Sequence, residues 1–376
     1  MTGVGIDGVG MTEFASETDD SVLELGSRAA ERALADAGRP GEITSVHVGN
    51  ALAGQLTTQA GVANALTSYL GIEGARADRV ENTSASGASA LHRGIDAVRE
   101  GDSEVALVVG VEKMSGGATA EVTEAISRLV HAREYAQGLT LPSFAGLAAG
   151  AYLDRYDAPR ESLAAVAVKN HANAVHNRFA QFQKAVTVES ALESPVIAEP
   201  LRLYDCCSMT DGAAAVVLCR DGDVDVSGVA SATGTHAVAS RSDLLDFESV
   251  RRAGKRAFDR AGLGPDDVDV ACIHDAFTIL ELLELEELGF YEAGTAWRAV
   301  RDGETDLDGS LPVNPGGGLK ARGHPLGATG VAQIVELVWQ LRGDAPAERR
   351  VDGPETGLAI NVAGFGNNSV CTLLSG

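Results

Sequence analysis

Three short segments combine side chains that can act as a nucleophile or a base with glycine-rich backbone. They are ENTSASGASAL, which contains Ser84, IHDAF, which contains His274, and GGLKARGHPLGATG, which contains His324. A serine hydroxyl is a weak nucleophile unless a base such as a neutral imidazole accepts its proton. The segments therefore predict nucleophilic catalysis, provided that the fold brings them together.

Each of these residues also has a purely structural explanation. Ser84 and Ser86 precede an amphipathic helix pattern, where serine is a frequent N-cap because its hydroxyl accepts a bond from a free backbone N–H. His274 is equally compatible with a hydrogen-bonded core histidine, and His324 with a surface histidine. The dense glycines of residues 316–330 favour a functional interpretation, because they indicate that the backbone there approaches something closely.

An internal duplication suggests how distant segments converge. RAAERALADAG, at residues 28–38, resembles RAGKRAFDRAG, at residues 252–262, and each predicts an amphipathic helix that ends at a glycine. A second pair of helix patterns has apolar residues at matching positions of one face, over residues 88–98 and 331–341. An apolar strand pattern follows each helix. We interpret the chain as two copies of one α/β unit, with the second pair of helices buried side by side between two sheets.

The duplication predicts an N-terminal half at residues 1–222 and a C-terminal half at residues 223–376. Together they form a five-layered α-β-α-β-α arrangement of the α/β class. The first half is longer by an insertion at about residues 116–200, which we expect to form a loop subdomain over the end of the sheet.

The same architecture predicts where the chemistry lies. In repeated α/β units, ligands bind at the carboxyl ends of strands and at helix N-termini. Ser84 and His324 occupy equivalent helix starts in the two halves, and His274 follows a strand of the second half. We therefore expect the three side chains to meet.

Composition narrows the class of protein. The chain has 376 residues, 45% of them hydrophobic, and a formal net charge of −23. Acidic residues spread along the chain with few lysines are typical of a high-salt cytoplasm, and they argue against nucleic-acid binding.

No apolar run reaches about 18 residues and the N-terminus lacks signal-peptide features, so we expect no membrane span and a cytoplasmic location. The five cysteines lack zinc-ligand spacing, which predicts no metal site and mostly buried thiols.

The three segments, together with ESLAAVAVKNHANAVHNRFAQF and TDGAAAVVL, resemble signature blocks of the thiolase superfamily. They are closest to the archaeal and sterol-carrier-protein-type members, and the GHP block is the most specific part. The likeness extends over nearly the whole chain. It implies the thiolase fold, coenzyme A thioesters as substrates, no permanently bound cofactor, and the formation or cleavage of a 3-ketoacyl-CoA.

The sequence departs from the family pattern in two respects. Thiolases use one cysteine as the nucleophile and a second cysteine to move the α-proton. Here Ser84 stands at the nucleophile position, while Ala276 and Asn361 stand where the second cysteine is expected. The resemblance assigns the nucleophile to Ser84 rather than Ser86.

The family pattern also implies roles for the neighbouring groups. His324 would activate Ser84, and His274 would hold the thioester oxygen or move the α-proton. The backbone N–H groups of Ser84 and Ala363 match an oxyanion hole.

The resemblance implies further contacts with the substrate. Phe277, Gly323 and Gly364 are candidates for the substrate pocket; Phe277 lies in the HDAF block and Gly323 in the GHP block.

A Ser-His-His set resembles the catalytic subunit of haloarchaeal-type two-subunit β-ketothiolases. That resemblance implies condensation of two acetyl-CoA, or of acetyl-CoA with a short acyl-CoA such as propionyl-CoA, with products that feed polyhydroxyalkanoate synthesis. It also implies a homodimer or higher oligomer and a separate small OB-fold subunit.

Two other interpretations remain open from the sequence. Loss of both cysteines is also what a non-catalytic acyl-CoA-binding or scaffold subunit would show, although His274 and His324 persist. A decarboxylating condensation like that of ketoacyl synthases also pairs two histidines with its nucleophile, but the GHPLG and HDAF blocks favour a thiolase.

Overall fold

The computed structural model describes residues 3–39 and 43–376. Within these ranges the strands are β1 (Gly5–Met11), β2 (Ser45–Gly49), β3 (Arg76–Val80), β4 (Ala106–Glu112), β5 (Val196–Ala198), β6 (Leu201–Arg202), β7 (Gly212–Cys219), β8 (Val224–Thr233), β9 (Val270–Cys272), β10 (Thr356–Ala363) and β11 (Asn368–Ser375). The α-helices are α1 (Val22–Ala37), α2 (Ala53–Leu56), α3 (Val62–Tyr69), α4 (Ser86–Glu100), α5 (Thr119–Ser127), α6 (Ala132–Tyr135), α7 (Leu141–Tyr156), α8 (Glu161–Ala174), α9 (Val188–Glu193), α10 (Glu248–Ala261), α11 (Thr278–Glu287), α12 (Ala296–Arg301) and α13 (Thr329–Arg342).

Nine strands form one sheet in the order β3-β2-β4-β7-β1-β8-β11-β10-β9. Five come from the first half and four from the second. The two sheets expected from the sequence are joined because Gly5 and Ile6 of β1 pair with Asp225 and Val224 of β8. A Cβ on Gly222 would lie 2.4 Å from the carbonyl carbon of Gly5, so the connection from β7 to β8 can cross the end of β1 only where side chains are absent.

The five layers predicted from the duplication are present. On one outer side, α1 packs on β1, β7 and β4, while α3 packs on β2 and β3; on the other, α10 packs on β8 and β11. The middle layer contains α4 and α13, which contact each other as predicted. α13 contacts strands of both halves and is buried along most of its length, whereas α4 packs on β2 and β4 and leaves Arg93 and Arg99 exposed.

The four helices matched by the duplication end in the same way. Gly38, Gly101, Gly262 and Gly343 follow α1, α4, α10 and α13 with φ of 63°, 82°, 73° and 74°. Each amide donates to a carbonyl of the last helical turn, which is the glycine cap that the sequence predicts for α1 and α10.

The glycines of the GHPLGATG segment allow backbone from the two halves to approach. A Cβ on Gly87 would lie 2.6 Å from the carbonyl oxygen of Gly327, and one on Gly110 would lie 2.5 Å from the same atom. A Cβ on Gly330 would lie 2.4 Å from the amide nitrogen of Ala88. The N-termini of α4 and α13 therefore make the close approach expected from these glycines. Their packing positions the segments that carry Ser84 and His324.

We expect Gly87→Ala to destabilise the protein by about 1–3 kcal/mol, because the added methyl group would force α4 away from α13. The measurement is the free energy of unfolding from urea denaturation. Gly54→Ala is the matched control, since a Cβ there has only the end of the Arg79 side chain at 4.0 Å. Equal denaturation midpoints for the two variants would contradict the close packing of the two helices.

The segment at residues 116–200 contains α5 to α9 and β5. Its α7 packs on the hairpin of β5 and β6, and its α8 packs on α11 and α12 of the second half. Among the described residues, no helix has the length and apolar character needed to cross a membrane.

Candidate active site

A cavity of about 410 Å³ lies between the 116–200 segment and the chain segments that follow strands β3, β9 and β10. Ser84, His274, His324, Phe277 and Gly364, all singled out from the sequence, line it. The rest of the wall is mainly apolar and includes Met114, Ile126, Leu141, Ile197, Leu203 and Leu326.

Ser84 lies in the turn between β3 and α4. Thr83, just before it, has φ of 46°, a left-handed conformation that is rare for a β-branched residue. The Ser86 hydroxyl accepts a bond from the Asn82 amide at 2.9 Å and donates to the Thr83 carbonyl at 2.6 Å. Ser86 is thus the serine that holds the turn, while Ser84 lines the cavity and its hydroxyl has no hydrogen bond to the described part of the chain.

A contact between the two halves holds this turn. The Gly364 amide donates to the Thr83 hydroxyl at 3.1 Å, and Gly364 has φ of 58°. Ala363, the last residue of β10, directly precedes Gly364, and Ser84 directly follows Thr83. Both residues are therefore next to this contact. Ala363 is buried but is not among the residues that line the cavity.

Gly323 also lies outside the cavity wall. It has φ of 113°, and a Cβ there would lie 2.7 Å from Thr210 Cγ2. The same Thr210 accepts a bond from the His324 amide at 3.0 Å. The absence of a side chain at Gly323 therefore lets the GHP turn pack on Thr210, which positions His324.

The His324 imidazole is buried, which excludes the surface interpretation. Its Nδ1 lies 2.7 Å from the Thr329 hydroxyl, and that hydroxyl donates to the Pro325 carbonyl at 3.0 Å. Burial, together with the nearby charge of Arg322, lowers the pKa of His324 to about 3. The imidazole is therefore neutral at pH 7, as a base that accepts a serine proton must be.

The His274 imidazole lies beside it. The two ring centroids are 5.1 Å apart, with the ring planes at 88°. Nδ1 of His274 lies 2.9 Å from Nδ2 of Asn361, and its backbone amide donates to Glu284 at 2.9 Å. Burial lowers the pKa of His274 well below its ordinary value, and the nearby His324 acts in the same direction.

Asp275, the neighbour of His274, anchors the glycine-rich segment. Its carboxylate accepts bonds from the amides of Leu319 at 2.6 Å and Lys320 at 3.2 Å, and from the Asn170 side chain at 2.8 Å. Burial raises its pKa to about 6. Asp275 thus ties the HDAF loop to the segment before His324, a role that depends on its side-chain direction and that the sequence does not reveal.

Cys206 and Cys207 also line the cavity, a position that the sequence does not predict. Both are half-buried, whereas the other three cysteines are buried as expected. The Cys207 amide donates to the carbonyl of Ala276 at 2.8 Å. Burial raises the pKa of both thiols to about 12, so they are protonated at neutral pH. Their position results from packing between distant segments, for which the sequence carries no local signal.

Comparison with known proteins covers the whole chain. Residues 4–222 match the family model "Thiolase, N-terminal domain", and residues 230–376 match "Thiolase C-terminal domain-like". The chain is 41% identical to the acetyl-CoA acetyltransferase of Methanothermobacter thermautotrophicus over 100% of both proteins. It is 32% identical to sterol carrier protein 2 of Homo sapiens over 98% of this chain and 71% of that protein. The solved structure "Ltp2-ChsH2(DUF35) aldolase" is 25% identical, with a TM-score of 0.85 over 99% of this chain and 97% of that one.

Proposed function

The chain belongs to the thiolase family, and on that premise we propose that it is a β-ketothiolase that acts through an acyl ester on Ser84. It condenses two acetyl-CoA, or acetyl-CoA with a short acyl-CoA, to a 3-ketoacyl-CoA, or catalyses the reverse thiolysis. The acetyltransferase relative at 41% identity supports the acyltransferase class.

One observation carries the proposal. Ser84, His274 and His324 come from three segments far apart in the chain, and all three line one cavity. The neighbouring Ser86 hydroxyl is occupied by the turn, whereas that of Ser84 has no bond to the described residues. A nucleophile without a competing partner, in the same cavity as two neutral imidazoles, provides the groups that acyl transfer requires.

In the first half-reaction, Ser84 Oγ attacks the thioester carbonyl while His324 accepts the hydroxyl proton. The thioester carbon–sulfur bond then breaks, and His324 returns the proton to the departing CoA sulfur. His274 and the backbone N–H groups of Ser84 and Ala363 bind the oxygens on which negative charge develops. The second acyl-CoA then attacks the ester on Ser84 to form the new carbon–carbon bond.

A second subunit forms part of the proposal. CoA carries several negative charges, and this chain has a net charge of −23, so a partner can supply basic groups at the substrate. The name of the solved aldolase structure includes a DUF35 component, which supports an association of this kind. We propose a homodimer or higher oligomer with a small OB-fold subunit, and products that feed polyhydroxyalkanoate synthesis.

The likeness to the aldolase structure favours a second candidate function. Aldol-type cleavage of a CoA ester needs no acyl-enzyme, and both positions of the family's second cysteine are occupied here by Ala276 and Asn361. A chain of this fold without the family cysteines can therefore act as a carbon–carbon lyase instead of an acyltransferase.

Incubation with acetyl-CoA at high salt separates these functions. We expect the intact mass of the chain to increase by one acetyl group, free CoA to appear, and acetoacetyl-CoA to follow, with a larger yield when the proposed OB-fold subunit is added. Aldol cleavage of a 3-hydroxyacyl-CoA without any adduct would favour the lyase. Tight acyl-CoA binding without an adduct or any turnover would indicate a scaffold subunit. Full activity of the chain alone would remove the need for a partner.

A further inference from the structure

The two imidazoles of the cavity have chemically opposite partners at Nδ1. The Thr329 hydroxyl can donate its single proton to the Pro325 carbonyl at 3.0 Å. With the proton donated there, the 2.7 Å contact between this hydroxyl and His324 is made by a proton on the imidazole Nδ1. Since burial keeps His324 neutral, its Nε2 carries a lone pair and no proton.

The partner of His274 reverses this assignment. Its Nδ1 lies 2.9 Å from Nδ2 of Asn361, and an amide nitrogen can donate but not accept. With the amide in this orientation, Nδ1 of His274 is the acceptor. A neutral imidazole has one ring proton, so that of His274 is on Nε2.

We propose that Asn361 is a positioning residue that holds His274 as a hydrogen-bond donor, and that His324 is the base for both half-reactions. The inference rests on the proposed function and deepens it, because it names the group that takes the α-proton. It differs from the alternative in which His274 moves that proton. It also gives a role to Asn361, whose amide cannot exchange a proton as the family's second cysteine does.

His324 alone can make every proton transfer that the two half-reactions require. When the first carbon–sulfur bond has broken and CoA has left as the thiol, His324 is neutral again. Its Nε2 then takes a proton from the α-carbon of the second acetyl-CoA, while Nε2–H of His274 donates to the enolate oxygen without being transferred. The α-carbon attacks the ester carbonyl, the bond from that carbonyl to Ser84 Oγ breaks, and Oγ recovers its proton from His324. The sum is two acetyl-CoA giving acetoacetyl-CoA and CoA.

Burial supports the fixed assignment of the protons. Asn361 is 1% exposed, His274 is 1% exposed and Thr329 is fully buried, so bulk water does not compete for these contacts. A Cβ on Gly330 would lie 2.5 Å from Asn361 Oδ1, which places the amide oxygen against the start of α13. The amide is thus confined between α13 and His274.

The direct test is nitrogen NMR of the purified chain with ¹⁵N-labelled histidine, assigned with His274→Gln and His324→Gln. We expect the proton of His274 on Nε2 and that of His324 on Nδ1. Asn361→Asp presents only acceptors and should move the proton of His274 to Nδ1, whereas Asn361→Leu should leave it unfixed. A proton on Nδ1 of His274 in the unaltered protein would overturn the proposal, whether or not Asn361→Asp folds.

A kinetic test separates this inference from the proposed function. Asn361→Asp should slow condensation by about 10²-fold or more, because it removes a donor to the enolate, while acyl-Ser84 forms with a smaller loss. Exchange of the α-hydrogens of acetyl-CoA with D₂O should disappear in His324→Gln, and its persistence there would overturn the single-base scheme. If no acyl-Ser84 forms but the protons lie as expected, the proposed function fails and the tautomer assignment stands.

Discussion

Replacing Ser84 by alanine is expected to abolish the acyl adduct and to lower turnover by about 10⁴-fold or more, because the proposed mechanism has no other nucleophile. The measurement is the intact mass after incubation with acetyl-CoA, followed by peptide mapping of the adduct. Ser84→Cys should still be acylated, because a thiol is the intrinsically better nucleophile.

Ser86→Ala is the matched control, two residues along the same turn. It removes the bonds to the Asn82 amide and the Thr83 carbonyl, so it should lower stability by about 1 kcal/mol while the adduct remains on Ser84. An adduct that persists in Ser84→Ala, or that maps to Cys206 or Cys207 in the unaltered chain, would contradict the assignment. Those two thiols are the natural competitors because they line the same cavity.

The distinction between Ser84 and Ser86 shows what the sequence could establish. Local patterns predicted the helix that follows them and the glycine caps of α1 and α10, because helical periodicity and capping depend on residues close in the chain. The internal duplication predicted the pairing of α4 with α13. The family signature predicted which serine is the nucleophile candidate. It did not show why Ser86 is unsuitable, since the bonds that occupy its hydroxyl depend on the left-handed backbone at Thr83.

Contacts between distant segments were beyond the sequence. Asn361 and His274 are 87 residues apart, and their hydrogen bond depends on the pairing of β10 with β9. The joining of the two sheets at β1 and β8 likewise depends on a crossing made possible by Gly5 and Gly222. Such contacts form only when the two halves pack together, and the amino-acid sequence contains no periodic pattern that predicts them.

We expect replacement of His324 and replacement of His274 to slow different steps of the reaction. His324→Ala should slow formation of acyl-Ser84 by about 10²–10⁴-fold, the usual contribution of a positioned general base. His274→Ala should leave acylation less affected and slow condensation more, by about 10²–10³-fold, because the enolate depends on its donor. Single-turnover acylation measured beside overall condensation separates the two steps.

The pH dependence provides an independent check on the state of His324. Its pKa is lowered to about 3 by burial, so the base is already neutral at pH 5 and becomes protonated only in strong acid. The acylation rate of the unaltered enzyme should therefore not fall as the pH decreases from 8 to about 5, whereas a solvent-exposed histidine base would lose activity through its ordinary pKa of about 6.5. A fall centred near pH 6.5 would mean that the base is hydrated when the acyl-CoA binds.

Equal loss of both half-reactions in His324→Ala and His274→Ala would mean that the two imidazoles act as one unit. A fixed donor and a fixed base cannot fail identically in steps that use them differently.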